Sequence, residues 1–337
     1  HGTDGPHAVI ATTLYQKLPE HRRKVLAFSD GRQEAAFFAW YLEDSYKDIL
    51  IRNLMLKIAQ SFNPFPKDGI SLSTIADRSF DNYHDSFRRN QSDDEPTTQK
   101  NIWSALYREF LTEEQRICLE GVGLIRWSIK WPTWFKIPEI LMKAPWSLSE
   151  EEARNLVFLL LNTMRTDRAV ELRTSPGVSM NWSDLSLQAI QMRFRIGDPK
   201  NKKDVRSWDG TQSKRFKFMK KLLLKIRDDL SEQEGADNVE LALREIWETI
   251  GRCDKQAPTA KESLLLSIED TRRLNPDWWR LHLIKKDETI YQCNLCGRLH
   301  AFSIHGLCPR HNCQGVLTPL HLSDLPENHY RSLYEDT

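Results

Sequence analysis

The chain has 337 residues and a nearly balanced charge, with 48 Lys or Arg against 47 Asp or Glu. This length predicts two or three domains, at roughly 100–200 residues each. The charge balance excludes a uniformly basic nucleic-acid coat, and the 40% of hydrophobic residues excludes a disordered chain. Neither a run of 18 apolar residues nor a recognisable secretory signal occurs, so we expect no membrane partner and a cytoplasmic location.

Near the amino end, residues 24–29 form a short apolar run that predicts a buried strand. A turn and an apolar helix that continues to about Gln60 follow it, which is the pattern of a βα unit. Ligands of open α/β sheets bind beyond the carboxyl ends of the strands. That position holds Ser29, Arg32 and Gln33. The alternative from spacing alone is that Arg32 and Gln33 only cap and solvate the turn.

Residues 63–286 have a mainly helical pattern. Ser149 precedes three acidic residues and predicts a helix N-cap, and Ile102–Phe110 is amphipathic. A three-helix, winged-helix-like packing is one arrangement that such helices allow. The acidic run Asp93–Pro96 lies in a polar stretch and does not follow an apolar strand, so we interpret it as a solvated loop.

The 11 tryptophans are unusually many for a chain of this length. Four of them fall within twenty residues, in a segment that Pro132 marks as rich in turns. Flat indole rings could stack on nucleic-acid bases. A packed aromatic core is the favoured interpretation of these four residues: Trp127, Trp131, Trp134 and Trp146.

Strong charge segregation lies behind the neutral total. Residues 193–227 contain thirteen Lys or Arg and three Asp, a net charge of +10, whereas residues 228–248 have a net charge of −7. A basic stripe on a predicted helix matches a phosphate track. The equally weighted alternative is a solvated face that the acidic segment partly neutralises. The stripe's nucleic-acid-binding candidates are Lys214, Arg215, Lys217, Lys220 and Lys221.

Four of the six cysteines lie within 21 residues, with the spacing C-x2-C-x11-C-x4-C. Zinc prefers four thiolate or imidazole ligands in a tetrahedron, so this spacing predicts a structural zinc ribbon with short flanking strands. A disulfide pair or free thiols are the alternatives, and His311 could replace the last cysteine. The predicted ligands are Cys293, Cys296, Cys308 and Cys313.

Three segments resemble a group of superfamily-2 DEAD/DEAH-box helicases, the large bacterial zinc-binding type met in DNA repair and phage defence. The first segment runs from Arg23 to Ala39 and resembles motif IV through Phe28-Ser29-Asp30 with Arg32-Gln33. The others are Leu119–Ile125 and Asn328–Tyr334. The resemblance implies that motif IV opens the second RecA-like lobe and that Ser29, Arg32 and Gln33 contact DNA.

The resemblance also implies that the ATP-binding lysine, the Mg²⁺-binding acidic box and the arginine finger lie outside these residues. No G-K-[ST] phosphate loop occurs, so we expect an internal section of a helicase that is inactive alone and uses ATP/Mg²⁺ only in its parent. The predicted fold is mixed and α-rich. Its parts are an incomplete RecA-like α/β portion at residues 1–62, a mainly helical insertion at 63–286, a small β zinc ribbon at 287–320 and a return segment at 321–337.

The function we expect is a share of an ATP-dependent DNA helicase or translocase, with single-stranded or duplex DNA as partner. The alternative is a non-enzymatic, zinc-stabilised module that binds DNA or docks protein subunits of a defence or repair complex.

Overall fold

The computed structural model describes residue 14 and residues 47–87, 93–112, 114, 117–185, 187, 190–256 and 262–335. Seven helices lie within these residues: α1 (47–60), α2 (Leu72–Phe87), α3 (Glu95–Leu111), α4 (Glu150–Thr166), α5 (Lys214–Ile226), α6 (Glu232–Gln256) and α7 (His329–Glu335). Helix α2 is kinked at Tyr83. None of the described helices combines the length and apolar character needed to cross a bilayer.

Three small sheets accompany the helices, so the mixed α/β class is confirmed. The first sheet is antiparallel, with β7 in the middle: β1 (Ile70–Ser71), β7 (Trp279–Leu283) and β2 (Ile125–Ile129). Ile70 pairs with Leu281, and Ile125 pairs with Leu283. β1 and β7 are thus hydrogen-bonded neighbours although their paired residues Ile70 and Leu281 are 211 positions apart in sequence.

The second sheet has four strands in the order β4 (Val205–Ser207), β3 (Arg193–Arg195), β6 (Thr271–Leu274) and β5 (Leu265–Ile268). β3 and β4 pair in parallel, and the other pairs are antiparallel. The third sheet is antiparallel and has the order β10 (Leu317–His321), β8 (Thr289–Cys293) and β9 (Leu299–His300).

Helices predominate in residues 63–286, as predicted, but β1 to β7 also lie in that interval and were not predicted. Trp127 is part of β2 and not of an irregular turn. Its strand alternates buried and half-buried residues, since Ile125, Trp127 and Ile129 face the core. The interpretation of Asp93–Pro96 as a loop is also wrong at its carboxyl end: Asp94 is the N-cap of α3, and its carboxylate accepts a hydrogen bond from the Thr97 N–H at 3.0 Å.

The helix predictions elsewhere are confirmed. Ser149 caps α4 in a full capping box with Glu152, whose carboxylate accepts from the Ser149 N–H at 3.0 Å. The expected end of the first helix near Gln60 agrees with the end of α1 at residue 60. Helix α5 buries Phe218, Leu222 and Leu223, as its apolar spacing predicts.

One large core joins most of these elements and contains many aromatic rings, and a small separate cluster surrounds the cysteines of the third sheet. Trp146, Trp208 and Trp279 are fully buried, and Phe110 packs edge-on against Trp127 with ring centroids 4.9 Å apart. The aromatic-core interpretation is therefore confirmed for Trp127 and Trp146. Trp131 and Trp134 are half-buried and pack against Phe135 and Trp278, respectively.

Helix α7, near the carboxyl end, packs against α1. The Asn53 amide on α1 donates to the carbonyls of Leu333 and Tyr334, at 3.4 Å each. The Tyr334 hydroxyl donates to the Ile117 carbonyl at 2.7 Å. One segment that carries the helicase resemblance, residues 328–334, therefore contacts α1 and Ile117, which lies two residues before the segment 119–125.

Candidate metal centre and the adjoining basic groove

The four cysteines predicted to bind metal come together beside the third sheet. Cys293 ends β8 and Cys296 lies in the following turn, whereas the other two lie on the loop between β9 and β10. All four Sγ atoms are within 4.8 Å of one another. The group consists of Cys293, Cys296, Cys308 and Cys313, and His311 does not belong to it.

The sulfur separations fit a tetrahedral metal. The Sγ atoms of Cys293 and Cys313 are 3.6 Å apart, and those of Cys296 and Cys308 are 3.8 Å apart. Zn–S bonds of about 2.3 Å in a tetrahedron place the sulfurs about 3.8 Å apart. A disulfide would need about 2.05 Å. The cluster is therefore compatible with a zinc site, and its four cysteines are free thiols rather than disulfides.

Backbone geometry around the cluster suits bound thiolates. The N–H groups of Cys296 and Gly315 donate to the sulfurs of Cys293 and Cys313 at 3.5 and 3.4 Å. Such N–H···S bonds stabilise negative charge on the ligand. A Cβ atom on Gly315 would lie 2.3 Å from the Cys293 sulfur, so only glycine fits this position.

The cysteines differ in how readily they ionise. Burial opposes ionisation of Cys293, but hydrogen bonds from the backbone of Cys296 and Leu295 outweigh it and lower the pKa of Cys293 to about 7. Burial raises the pKa of Cys308 and of Cys313 above the usual range of a thiol. A cation at the centre would have to hold these two as thiolates, as metals do with coordinating thiols.

A basic groove lies next to the cysteine cluster. Its volume is about 550 Å³, and it runs between α5 and the loop at residues 307–314. The Lys221 ammonium donates to the Cys313 carbonyl at 2.9 Å and so joins the two walls. Among the described residues of the lining, Glu232 is the one acidic residue. The basic residues of the lining are Lys214, Lys217, Lys220, Lys221, Lys225 and Arg310.

The predicted basic stripe divides into three environments. Lys217 is exposed and forms no ion pair with the described residues. Lys220 pairs with Glu232 at 2.6 Å, so the acidic segment partly neutralises the stripe, as the alternative interpretation expects. Lys214 pairs with Asp167 at 3.0 Å and keeps 38% of its side chain exposed.

Arg215 departs from the expected surface position. Its side chain is 3% exposed, and its guanidinium donates to the carbonyls of Ser207 and Trp208 and to the Thr163 hydroxyl. It also lies over the ring of Phe194, 4.3 Å from the centroid. The reason is its place on α5, since it shares the buried side of the helix with Phe218 and Leu222. Arg215 is therefore a core residue and is removed from the groove candidates.

The motif IV candidates Ser29, Arg32 and Gln33 lie outside the described residues, so their role stays a prediction. The sequence interpretation missed Arg310, which is exposed on the loop between Cys308 and Cys313 and lines the groove opposite α5. A signal was present in the run Pro309-Arg310-His311, because a loop between two predicted metal ligands is expected to be held in place.

Comparison with known proteins adds no family assignment: no protein-family model, no curated protein and no solved structure matches the chain.

Proposed function

We propose that this protein is a zinc-stabilised nucleic-acid-binding part of an ATP-dependent DNA helicase or translocase. The observation that carries the nucleic-acid part is the groove in which lysines of α5 face the cysteine loop across about 550 Å³. Zn²⁺ bound by the four cysteines would fix one wall of this groove, and the main core fixes the other. The helicase part rests on the resemblance of the three segments around Ser29, Gly121 and Tyr330.

The chemistry of the groove favours a phosphate backbone. Lys217 and Lys225 are exposed, belong to one face of α5 and are two turns apart. Arg310 adds a cation from the opposite wall. Phosphate contacts of this kind fix the position of a strand and do not read its sequence. We therefore expect binding of single-stranded or duplex DNA with little sequence preference.

The salt dependence of DNA binding tests this proposal. Fluorescence anisotropy of a labelled oligonucleotide, measured between about 50 and 200 mM salt, gives the slope of log K against log salt. Each removed phosphate contact should flatten the slope by about 1, so Lys217→Gln with Lys225→Gln should flatten it by about 2. Lys67→Gln with Lys136→Gln is the matched control, since these exposed lysines do not line the groove.

An unchanged slope in the groove variant, or equal flattening in the control, would remove the groove from the proposal. The helicase part has a separate test in the coding sequence that flanks these 337 residues. It predicts a G-K-[ST] phosphate loop and an acidic Mg²⁺ box on the amino-terminal side. Absence of both motifs from the parent protein would contradict the helicase part of the proposal.

A second candidate function is a zinc-stabilised module that docks protein subunits of a defence or repair complex. Two apolar side chains on the cysteine loops favour it: Leu295 is 69% exposed and Val316 is 53% exposed. They are close in the structure, because the Asn294 N–H donates to the Val316 carbonyl at 3.1 Å. Leu295→Ser with Val316→Ser should leave DNA binding unchanged and weaken only a protein contact.

A further inference from the structure

A second cavity opens beside the basic groove and carries a different combination of side chains. Its volume is about 410 Å³, and it lies between α4, α5 and the segments at residues 298–302 and 309–311. Ordinary small-ligand sites occupy roughly 300–1,000 Å³, so the space suits one compact ligand. Lys214, Phe218 and residues 309–311 line both this cleft and the groove. A ligand in the cleft could therefore be free or attached to a strand in the groove.

The cleft has an excess of positive charge. Its described lining contains one carboxylate, that of Glu120, which already accepts from Arg165 at 2.6 Å. Just beyond the lining, Glu288 pairs with Arg126 at 3.1 Å and Asp167 pairs with Lys214 at 3.0 Å, so the carboxylates at the cleft are still outnumbered by its cations. The six cationic side chains of the lining are Arg126, Arg165, Lys214, Arg215, Arg298 and Arg310.

Arg215 is the centre of this imbalance. Its guanidinium donates to two carbonyls and a hydroxyl, which accept its hydrogen bonds without neutralising its charge. The nearest carboxylate, that of Asp167, is 3.9 Å away and is held more closely by Lys214 at 3.0 Å. Burial lowers the pKa of Arg215 to about 10. A buried cation that shares one carboxylate with a second cation gains from an anion brought into the cleft.

Flat aromatic surface forms the other part of the wall. Phe158 on α4 and Phe302 after β9 are half-buried, with ring centroids 5.7 Å apart in an edge-on arrangement. An aromatic ring of a ligand can pack on such faces, and stacking of a base is worth about 1–3 kcal/mol. Cationic side chains and an aromatic wall therefore line the same cavity of small-ligand size.

We propose that this cleft binds a nucleoside monophosphate unit, with its phosphate near Lys214, Arg215 and Arg310 and its base against Phe158 and Phe302. The unit is either a free nucleotide or the terminal nucleotide of a strand in the groove. In the second case the inference deepens the proposed function, because it assigns the groove a preference for phosphorylated strand ends.

Isothermal titration of the purified protein with thymidine 5′-monophosphate, thymidine and inorganic phosphate tests the ligand class. The nucleotide should bind at least about tenfold more tightly than either part alone. Arg310→Gln should weaken nucleotide binding about tenfold, as expected for a lost charge-assisted hydrogen bond. Phe302→Leu keeps an apolar side chain and removes the flat ring, and it should weaken binding of the nucleotide but not of inorganic phosphate.

Lys225→Gln is the control, since Lys225 lines the groove and not the cleft. It should leave nucleotide affinity unchanged. Circular dichroism of each variant verifies that the fold is retained. A comparison of 5′-phosphorylated, 5′-hydroxyl and circular single strands then separates the two sources of the ligand: tighter binding of the phosphorylated end supports the strand-end form, and equal binding of all three supports the free nucleotide.

Two results would overturn the proposal. One is no nucleotide binding at millimolar concentration, and the other is equal affinity for nucleotide and inorganic phosphate. Both leave the proposed function intact if the salt slope still responds to Lys217 and Lys225. Conversely, nucleotide binding that depends on Phe302, together with no DNA binding, would keep the cleft and reject the groove.

Discussion

The cysteine module, residues 289–321, and helix α5 face each other across one groove, yet they are held in place by different means. Three cysteines and Leu317 make up a small buried cluster of the module. Helix α5 instead buries six side chains, among them Arg215 and Phe218, against the main core. A cluster of that size contributes little apolar burial, so we expect the module to depend on a metal bound at the four cysteines, whereas α5 should not.

The two regions also differ in what determines the role of each side chain. In the module, four cysteines of fixed spacing meet at one point, because short turns leave them few other arrangements. On α5, two cations that are close in sequence lie in different environments: Lys217 is exposed, whereas Arg215 is buried. Packing partners from distant segments decide this, and charge alone does not.

Loss of the metal should have the largest effect. Cys293→Ser and Cys308→Ser each remove one of four predicted zinc ligands and should abolish zinc binding. The effect on folding of the module should be large, because structural zinc contributes roughly 10–16 kcal/mol of apparent folding free energy in small domains. Elemental analysis should give one zinc per wild-type chain and none per variant. Hydrogen exchange should show lost protection over residues 289–321 and retained protection in α4.

Cys118→Ala is the matched control, since Cys118 is buried outside the cluster. It should retain the full zinc content. Equal zinc content in the wild type and in Cys293→Ser would show that the module is not held by this metal, and the contrast with α5 would fail.

The second-largest effect should separate the two cations of α5. Arg215→Leu leaves the carbonyls of Ser207 and Trp208 and the Thr163 hydroxyl without their donor, and it should lower the free energy of unfolding by about 3 kcal/mol. Lys217→Gln should change it by less than about 0.5 kcal/mol. Urea denaturation measures both, and equal effects would contradict the assignment of Arg215 to the core.

A smaller effect should come from the start of α4. Ser149→Ala removes the side-chain acceptor of the capping box and should cost about 1 kcal/mol in the free energy of unfolding. Ser149→Asp retains an acceptor and should keep most of the stability. Thermal unfolding compares the three proteins. Equal stability of the wild type and Ser149→Ala would show that the cap contributes nothing in this fold.

Local features of the fold could be predicted because neighbours in sequence determine them. Ser149 and the four cysteines act through residues within a few positions of themselves. The N-cap at Asp94 also depends on nearby residues, since Pro96 lies in the first turn of the helix. It was not predicted, because the acidic residues around it were interpreted as a solvated loop.

The sheets could not be predicted in the same way. β3 and β6 contain Arg-Phe-Arg and Thr-Arg-Arg-Leu, and such short charged strands form only because distant partners pair with them. β2 and β7 do carry a readable alternation, in Ile-Arg-Trp-Ser-Ile and Trp-Arg-Leu-His-Leu. The cleft beside Arg215 depends on three segments far apart in sequence, so no spacing could indicate it.

The dependence of the groove on its metal-held wall can be tested by measuring DNA affinity at fixed salt before and after zinc is removed with a chelator, with hydrogen exchange of α5 followed in parallel. Loss of zinc should release Arg310 and the rest of the cysteine loop, and we expect the affinity to fall by at least about tenfold while α5 stays protected. An affinity that is unchanged after complete zinc loss would contradict a binding groove built from these two regions.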